Sequence, residues 1–518
     1  MGKLYLFCIG GTGHRVLKSL IMLLAGGMKI ETNEIIPVIF DPDSNNGDLN
    51  RTKKLIEIYN KIRKELNYGS DEKFTKQDTS LFFNKIRGIN FLNDFIFNLD
   101  GTTNQRYSSF IGYDDNNLDE NSKALLSLLY SSKNLNLLMD EGFKGYPNIG
   151  AVVLNQFKNT QAFRDLVSEF NQDDKIFIVS SIFGGTGAAG FPLLLKNIRN
   201  ADQITNNAGE ILGNVNILKN AIIGALTVMP YFGVRENRES EISKRSFIPK
   251  TKAALEYYQR NINNSLNALY YIADKDTKDL ENHSGKIAQM NFAHFIEIAG
   301  ALAIKDFCSD DFNNGKKFKE FGIRDDTKNI YFSHLGEKTH KAIYEPILKL
   351  SYLFIYIEKF LKKNIDKQPW SKRKILKSER SNKLGKDFFN SDYFKKIIEF
   401  EKEYSDWLIE LASNERKFIP FSFLNNAENI SSETEERTKW KNIFTEYNFK
   451  SDLFDIVNGQ NASEGKFYDN IRFIKNDTLF NDALNKFERK FHNFTAAQKF
   501  VGIFDKATTE IINKKITI

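Results

Sequence analysis

Residues 177–192 read Phe-Ile-Val-Ser-Ser-Ile-Phe-Gly-Gly-Thr-Gly-Ala-Ala-Gly-Phe-Pro. An apolar strand runs into a glycine-rich turn, and an apolar helix follows. Main-chain N–H groups in such a turn converge on an anion, because glycine tolerates φ > 0 and lets phosphate oxygens approach the backbone closely. The helix adds the positive end of its dipole. No Gly-Lys-Ser/Thr closes the turn, so it is not a Walker loop, and its spacing is not that of a GxGxxG dinucleotide fingerprint.

Working outward, Gly10-Gly11-Thr12-Gly13 is a second turn of this kind, after the apolar strand Leu4–Ile9. A helix is expected over Arg15–Ala25, and a second strand, Ile35–Phe40, ends at Asp41-Pro42-Asp43. Leu118–Met139 reads as a helix, and Lys175–Ser180 and Ala221–Val228 as strands. Continuous apolar strands alternating with helices predict an α/β fold with a doubly wound, mostly parallel sheet. Such sheets bind ligands outside the carboxyl ends of their strands. Both glycine turns, the Asp41–Ser44 turn and the loop Met229–Gly233 fall there.

A chain of 518 residues exceeds one core, so more than one domain is expected. The net charge of +7 is spread along the length and argues for no specific nucleic-acid partner. The basic runs Lys362-Lys363 and Lys372-Arg373-Lys374 read as solvated surface. Cys8 and Cys308 make no disulfide framework and fit a reducing compartment. The histidines have no metal-ligand spacing with these cysteines, which excludes a zinc site of the common kind. The apolar stretches Leu17–Ala25 and Ile347–Leu361 are too short to span a bilayer comfortably, and no secretory signal is visible. A cytoplasmic protein is expected.

The turn Gly184-Gly185-Thr186-Gly187 resembles the phosphate-binding signature of the tubulin/FtsZ superfamily, Gly-Gly-Gly-Thr-Gly-Ser/Thr-Gly, with Phe183 in place of a glycine. Cys8-Ile9-Gly10-Gly11-Thr12-Gly13-His14 is similar to the first phosphate loop of FtsZ, Gly-Val-Gly-Gly-Ala-Gly-Gly. Gly142–Ala151, with Gly145, falls where the family has a glycine-bearing loop around the terminal phosphate. Thr227-Val228-Met229-Pro230-Tyr231-Phe232 resembles the strand end that leads to the ribose loop. The segment Lys286–Phe307, with Asn291 near its start, resembles the central helix, whose asparagine pairs with guanine. The likeness covers residues 1–310 and is greatest to divergent bacterial tubulin-like proteins.

The resemblance implies a nucleotide-binding domain over 1–310, with GTP or GDP as ligand and Mg²⁺ accompanying it. Gly184, Gly185 and Gly187 would offer N–H groups to the phosphates, and Thr186 a hydroxyl. Gly10, Gly11, Thr12 and Gly13 would cover them from the other side, with Gly145 near the terminal phosphate. Arg15 would contact ribose or phosphate, or is simply the first polar residue of a helix. Asp41 and Asp43 would hold a Mg²⁺-bound water or a ribose hydroxyl, or serve only as a turn. Pro230 and Arg235 or Arg238 would lie on the ribose loop, and Asn291 would read the base. Ala188 and Ala189 replace the family's Ser/Thr and Gly, and the lost hydroxyl is worth about 1 kcal/mol.

Family members hydrolyse GTP between subunits, using acidic residues of an Asn-x-Asp-x-x-Asp loop. Here Asp310 and Asp311 are the candidates to position water on a neighbour's nucleotide, without that spacing. Residues 311–518 do not resemble the family's second domain. They read as a mainly helical region for assembly or partner binding, with helices at Ala342–Lys363, Asp392–Ser413, Glu433–Tyr447 and Leu479–Phe500 and a polar linker at Asn364–Lys386. The expected function is a slow or assembly-dependent GTPase that forms head-to-tail oligomers or filaments. The alternative is a non-enzymatic scaffold with a structural nucleotide site, of the kind found in a bacterial defence or plasmid system. A nicotinamide-dependent oxidoreductase is disfavoured by the absent GxGxxG spacing.

Overall fold

A computed structural model describes residues 2–43, 45–69, 74–89, 95–97, 101–102, 104–143, 145–201, 204–205, 209, 211–234, 244–274, 279–280, 291–313, 315–322, 327–361, 370, 384–424, 457–458, 476–491 and 493–515. Seven strands form one sheet: β1 (Leu4–Ile9), β2 (Glu34–Phe40), β3 (Lys85–Ile86), β4 (Lys175–Ser181), β5 (Ile222–Val228), β6 (Ala268–Ala273) and β7 (Lys317–Gly322). Their spatial order is 3-2-1-4-5-6-7, and every neighbouring pair is parallel. The sheet is therefore wholly parallel, and it continues past residue 310 through β7. Strand order reverses between β1 and β4, which makes their carboxyl ends the switch point of the sheet.

Both faces are covered, which is why the strands read as unbroken apolar runs. On one face Tyr5 meets Phe170 and Phe7 meets Phe157. Helix α4 (Gly185–Arg199) lies on that side, where Gly190 packs against Ile9. On the other face lie α1 (Gly10–Ala25) and α5 (Phe295–Cys308). There Phe307 meets Phe177, and Gly300 lets α5 sit against Val16 and Leu226.

A further helical layer covers α1 and α2 (Gly47–Leu66). It contains α6 (Glu337–Tyr356), α7 (Asp392–Ala412), α8 (Asn476–Glu488) and α9 (Ala496–Lys515). Helix α1 is consequently buried on all sides, with only Gly11 partly open. Its Lys18 is 4% exposed and pairs with Glu410 of α7 at 3.3 Å, and Arg51 of α2 reaches the same carboxylate at 2.6 Å. The Trp407 indole donates to Ser19 Oγ at 3.1 Å. Farther along, Lys349 and Ser80 both bind Asp505 of α9. The phenylalanines of this layer are largely core: Phe388, Phe394, Phe500 and Phe504 are buried together.

Several element boundaries differ from the sequence reading. Helix α1 starts at Gly10 rather than Arg15, so the first glycine turn is the first turn of a helix. The expected helix 118–139 is broken: Glu120–Leu129 ends at the extended Tyr130, and a Ser131–Asn134 capping box starts a separate turn. Helix α6 begins five residues before Ala342 and gives way to a π turn at Ile357–Leu361, so Pro346 lies in its interior rather than near its start. The expected helix 479–500 is two helices. Thr495 and Gln498 form a reciprocal cap that starts α9 afresh. The expected helix Glu433–Tyr447 and the two basic runs lie outside the described residues, as does nearly all of the Asn364–Lys386 linker.

Glu410→Ala would leave two buried cations without their shared carboxylate. The expected loss is about 3–5 kcal/mol of stability, read from urea unfolding. Replacing Lys18 by Met in the same chain should recover part of it.

Candidate functional site

The two glycine turns meet. A Cβ placed on Gly10, whose φ is +66°, would lie 3.5 Å from Thr186 Cβ and 3.7 Å from the Gly187 nitrogen. The parallel pairing of β1 with β4 brings this about, since Cys8 lies opposite Val179 and both strands end at the same edge. Gly145, with φ +78°, joins them from the loop before the helix α3 (Pro147–Leu154): its nitrogen would lie 2.9 Å from a Cβ on Gly185. Gly10, Gly11, Thr12, Gly13, Gly145, Gly184, Gly185, Thr186 and Gly187 thus share one rim.

Within each turn the glycines have different work. A Cβ on Gly13 would sit 2.5 Å from the Cys8 carbonyl carbon, and one on Gly187 would sit 2.7 Å from the Ser181 oxygen. These two let each helix close onto the end of its own strand. Gly11, Gly184 and Thr186 are partly exposed and form the open lip. Phe183, where the family has glycine, is buried among Tyr231 and Phe232, with ring centroids 6.3 and 5.5 Å away.

Neither α1 nor α4 has a side-chain cap at its N-terminus, and neither carries an acidic residue in its first turn. By contrast, Asn46 caps α2, His294 caps α5 and Ser391 caps α7, while α6 starts at Gly336 without a side-chain cap but carries Glu337 in its first turn. The N-cap residues Ile9 and Gly184 therefore offer the first-turn N–H groups of α1 and α4 no side-chain acceptor.

Arg15 lies beside Gly11, but its hydrogen bonds are made within the protein. Nε donates to Glu297 at 2.8 Å, Nη1 to Asp48 at 3.2 Å and Nη2 to the Tyr231 hydroxyl at 2.7 Å. Nη2 also approaches Thr12 Oγ1 at 3.5 Å, and Nη1, which keeps a second N–H, lies 3.3 Å from the place of a Cβ on Gly11. The guanidinium joins α1, α2, the loop after β5 and α5. Burial, reinforced by the Asp48 charge, pushes Glu297 up to about 7 despite the Arg15 contact.

Asn291 does not begin a helix. It precedes α5, which His294 caps by accepting from the Ile296 N–H, and residues 281–290 lie outside the described residues. The Asn291 N–H donates to Asp48 at 3.3 Å, which brings it beside the Arg15 cluster. Pro230 lies in the loop carrying Tyr231. Arg235 and Arg238 lie outside the described residues.

Asp41 and Asp43 are buried at the end of β2. Asp41 accepts from the Asp43 N–H at 3.0 Å, and Asp43 accepts from the Asn45 N–H at 3.1 Å, so both build the turn. Asp41 also faces His14 at 3.6 Å. Burial pushes the Asp41 carboxyl up to about 7 and holds His14 down at about 3, with the Arg15 charge adding to the latter. No group of three or more metal-ligating side chains occurs among the described residues, so Asp41 and Asp43 do not make a metal cage by themselves.

Asp310 and Asp311 lie at the opposite edge. They follow the C-terminus of α5, where Lys175, the first residue of β4, donates to the Asp310 carbonyl at 2.7 Å. The length of β4, about 20 Å at the usual rise per residue, separates them from the glycine turns. The Asp310 carboxylate pairs with Lys317, which, against the effect of partial burial, holds it below the usual carboxylate range, and Asp311 binds Asn313.

No protein-family model matches this chain, and no curated protein matches it. Residues the sequence reading missed are Asp48, Glu297, Tyr231 as a hydroxyl partner, and His14. Their signal was a charge set among apolar residues of a helix: Arg15 in α1 and Glu297 in α5 need buried partners of opposite sign.

Gly13→Ala and Gly187→Ala should each cost about 1–3 kcal/mol through backbone clash, whereas Gly11→Ala should stay within about 1 kcal/mol of wild type. Chemical denaturation of the three variants checks this. Asp41 gives a pH prediction. Its folded pKa is raised, so its contribution to stability is full below the unfolded value near 4 and is lost as pH rises to about 7. The Tm of Asp41→Asn should therefore gain on wild type between pH 4 and 7 and keep pace above it. Parallel profiles would count against the raised pKa.

Proposed function

We propose that the chain binds a guanine nucleotide, GTP or GDP, with its phosphates lodged between the turns Gly10–Gly13 and Gly184–Gly187. One observation carries this reading: two helix N-termini without side-chain caps touch at the switch point of a parallel sheet. Main-chain N–H groups from both turns and two helix dipoles would act on the same anion. The choice of guanine and of a tubulin-like mode rests on the likeness of the loops, and Asn291 beside the Arg15 cluster is consistent with a base-reading role. Tyr231 and Pro230 would flank the ribose. Mg²⁺ would enter with the phosphates and their waters rather than in a protein-built cage.

Hydrolysis would need a second copy. Asp310 and Asp311 are a strand's length from the glycine turns, so they would act only on the nucleotide of a neighbour stacked head to tail. Their carboxylates are already held by Lys317 and Asn313. That observation favours the second reading, in which nucleotide is bound without turnover and the protein serves as a scaffold.

Thr186→Glu tests the site. A carboxylate in the first turn of α4 suits the helix dipole and should preserve the melting temperature. It would compete with phosphate for the same N–H groups, and labelled GTP should no longer be retained at micromolar protein. A variant that binds GTP like wild type would exclude this rim as the phosphate site.

A further inference from the structure

A triphosphate brings several negative charges, and glycine turns offer only neutral N–H dipoles to meet them. Arg15, Lys18 and Arg51 are each tied to carboxylates, and Lys175 serves the opposite edge of the sheet. Lys250 is placed differently. It projects from the helix Lys244–Asn261 to the Gly145 turn, where its ammonium donates to the Gly145 carbonyl at 2.7 Å. It also lies 5.9 Å from the Tyr146 ring centroid. Among the described residues it has no carboxylate partner.

Gly145 makes the connection. Its nitrogen packs on Gly185, while its carbonyl holds the lysine. Adding standard backbone dimensions, the ammonium is within roughly 10 Å of Gly185 Cα. The carbonyl takes one of the three ammonium hydrogens, which leaves two for phosphate oxygens.

We propose that Lys250 is the phosphate-neutralising cation of this site, reaching from the Gly145 turn to the terminal phosphate of a bound nucleoside triphosphate. The proposal rests on the nucleotide reading above and adds a preference for triphosphate over diphosphate. Partial burial lowers the Lys250 pKa with no carboxylate to offset it, so an anion at this point relieves an uncompensated charge.

The test is equilibrium binding of a non-hydrolysable GTP analogue and of GDP to the full chain, as wild type, Lys250→Gln, Lys250→Arg and Thr186→Glu. Lys250→Gln should weaken the triphosphate about tenfold or more and change GDP affinity by less than about twofold, as expected for loss of one charge-assisted contact. Lys250→Arg should keep most of the preference. If Lys250→Gln binds both nucleotides like wild type while Thr186→Glu binds neither, the nucleotide site stands and the role of Lys250 is overturned. Equal weakening of both nucleotides overturns it as well. If wild type binds neither nucleotide, both readings fall.

Discussion

The constraint on which the fold depends is the complete burial of α1. A helix enclosed by the sheet, by α2 and α5, and by the C-terminal helices has no water for its charges, yet it carries Arg15 and Lys18. Each must be neutralised from within. Asp48 and Glu297 do this for Arg15, and Glu410 does it for Lys18. These partners come from three other helices, α2, α5 and α7. One buried helix thereby fixes how the sheet and the C-terminal layer sit together. The C-terminal helices are consequently not a free arm, since α7 and α9 spend buried carboxylates on the N-terminal half.

The same helix fixes the rim. Gly13 lets the start of α1 close onto β1, and Gly187 lets α4 close onto β4. Since β1 and β4 are neighbours, the two helix starts are forced together at one edge. The closure leaves their first-turn N–H groups converging, while Asp41 and His14 sit buried alongside in the end of β2 and the turn of α1. Burial favours the neutral form of each, so this flank of the rim carries less negative charge from Asp41 than its composition suggests, and no positive charge from His14.

Much of this was legible in the residues. Unbroken apolar runs such as Leu-Tyr-Leu-Phe-Cys-Ile, short and followed by glycine turns, fit strands buried on both faces, and the helices between them favour parallel pairing. Two glycine turns after two such strands place the candidate site at the carboxyl edge. Element ends were read less well where local caps decide them. His294 delays the start of α5, and Thr495 with Gln498 splits one expected helix into two. Strand Lys317–Gly322 went unread because its alternating charges look like surface, and it is indeed the sheet's outer strand.

The sequence by itself determined the α/β class, the positions of β1, β2, β4 and β5 and the loops that end them. Those follow from local pattern: apolar period, glycine tolerance and chain order. Tertiary structure alone decided which charges stand near the glycine rim and which are paired in the core. Arg15, which the sequence left as either a ligand contact or the first polar residue of a helix, bonds residues 33, 216 and 282 positions away, whereas Lys250, which the sequence did not single out, stands at the Gly145 turn. The physical reason is that a charge's role is set by what shares its low-dielectric surroundings, and those neighbours come from distant parts of the chain.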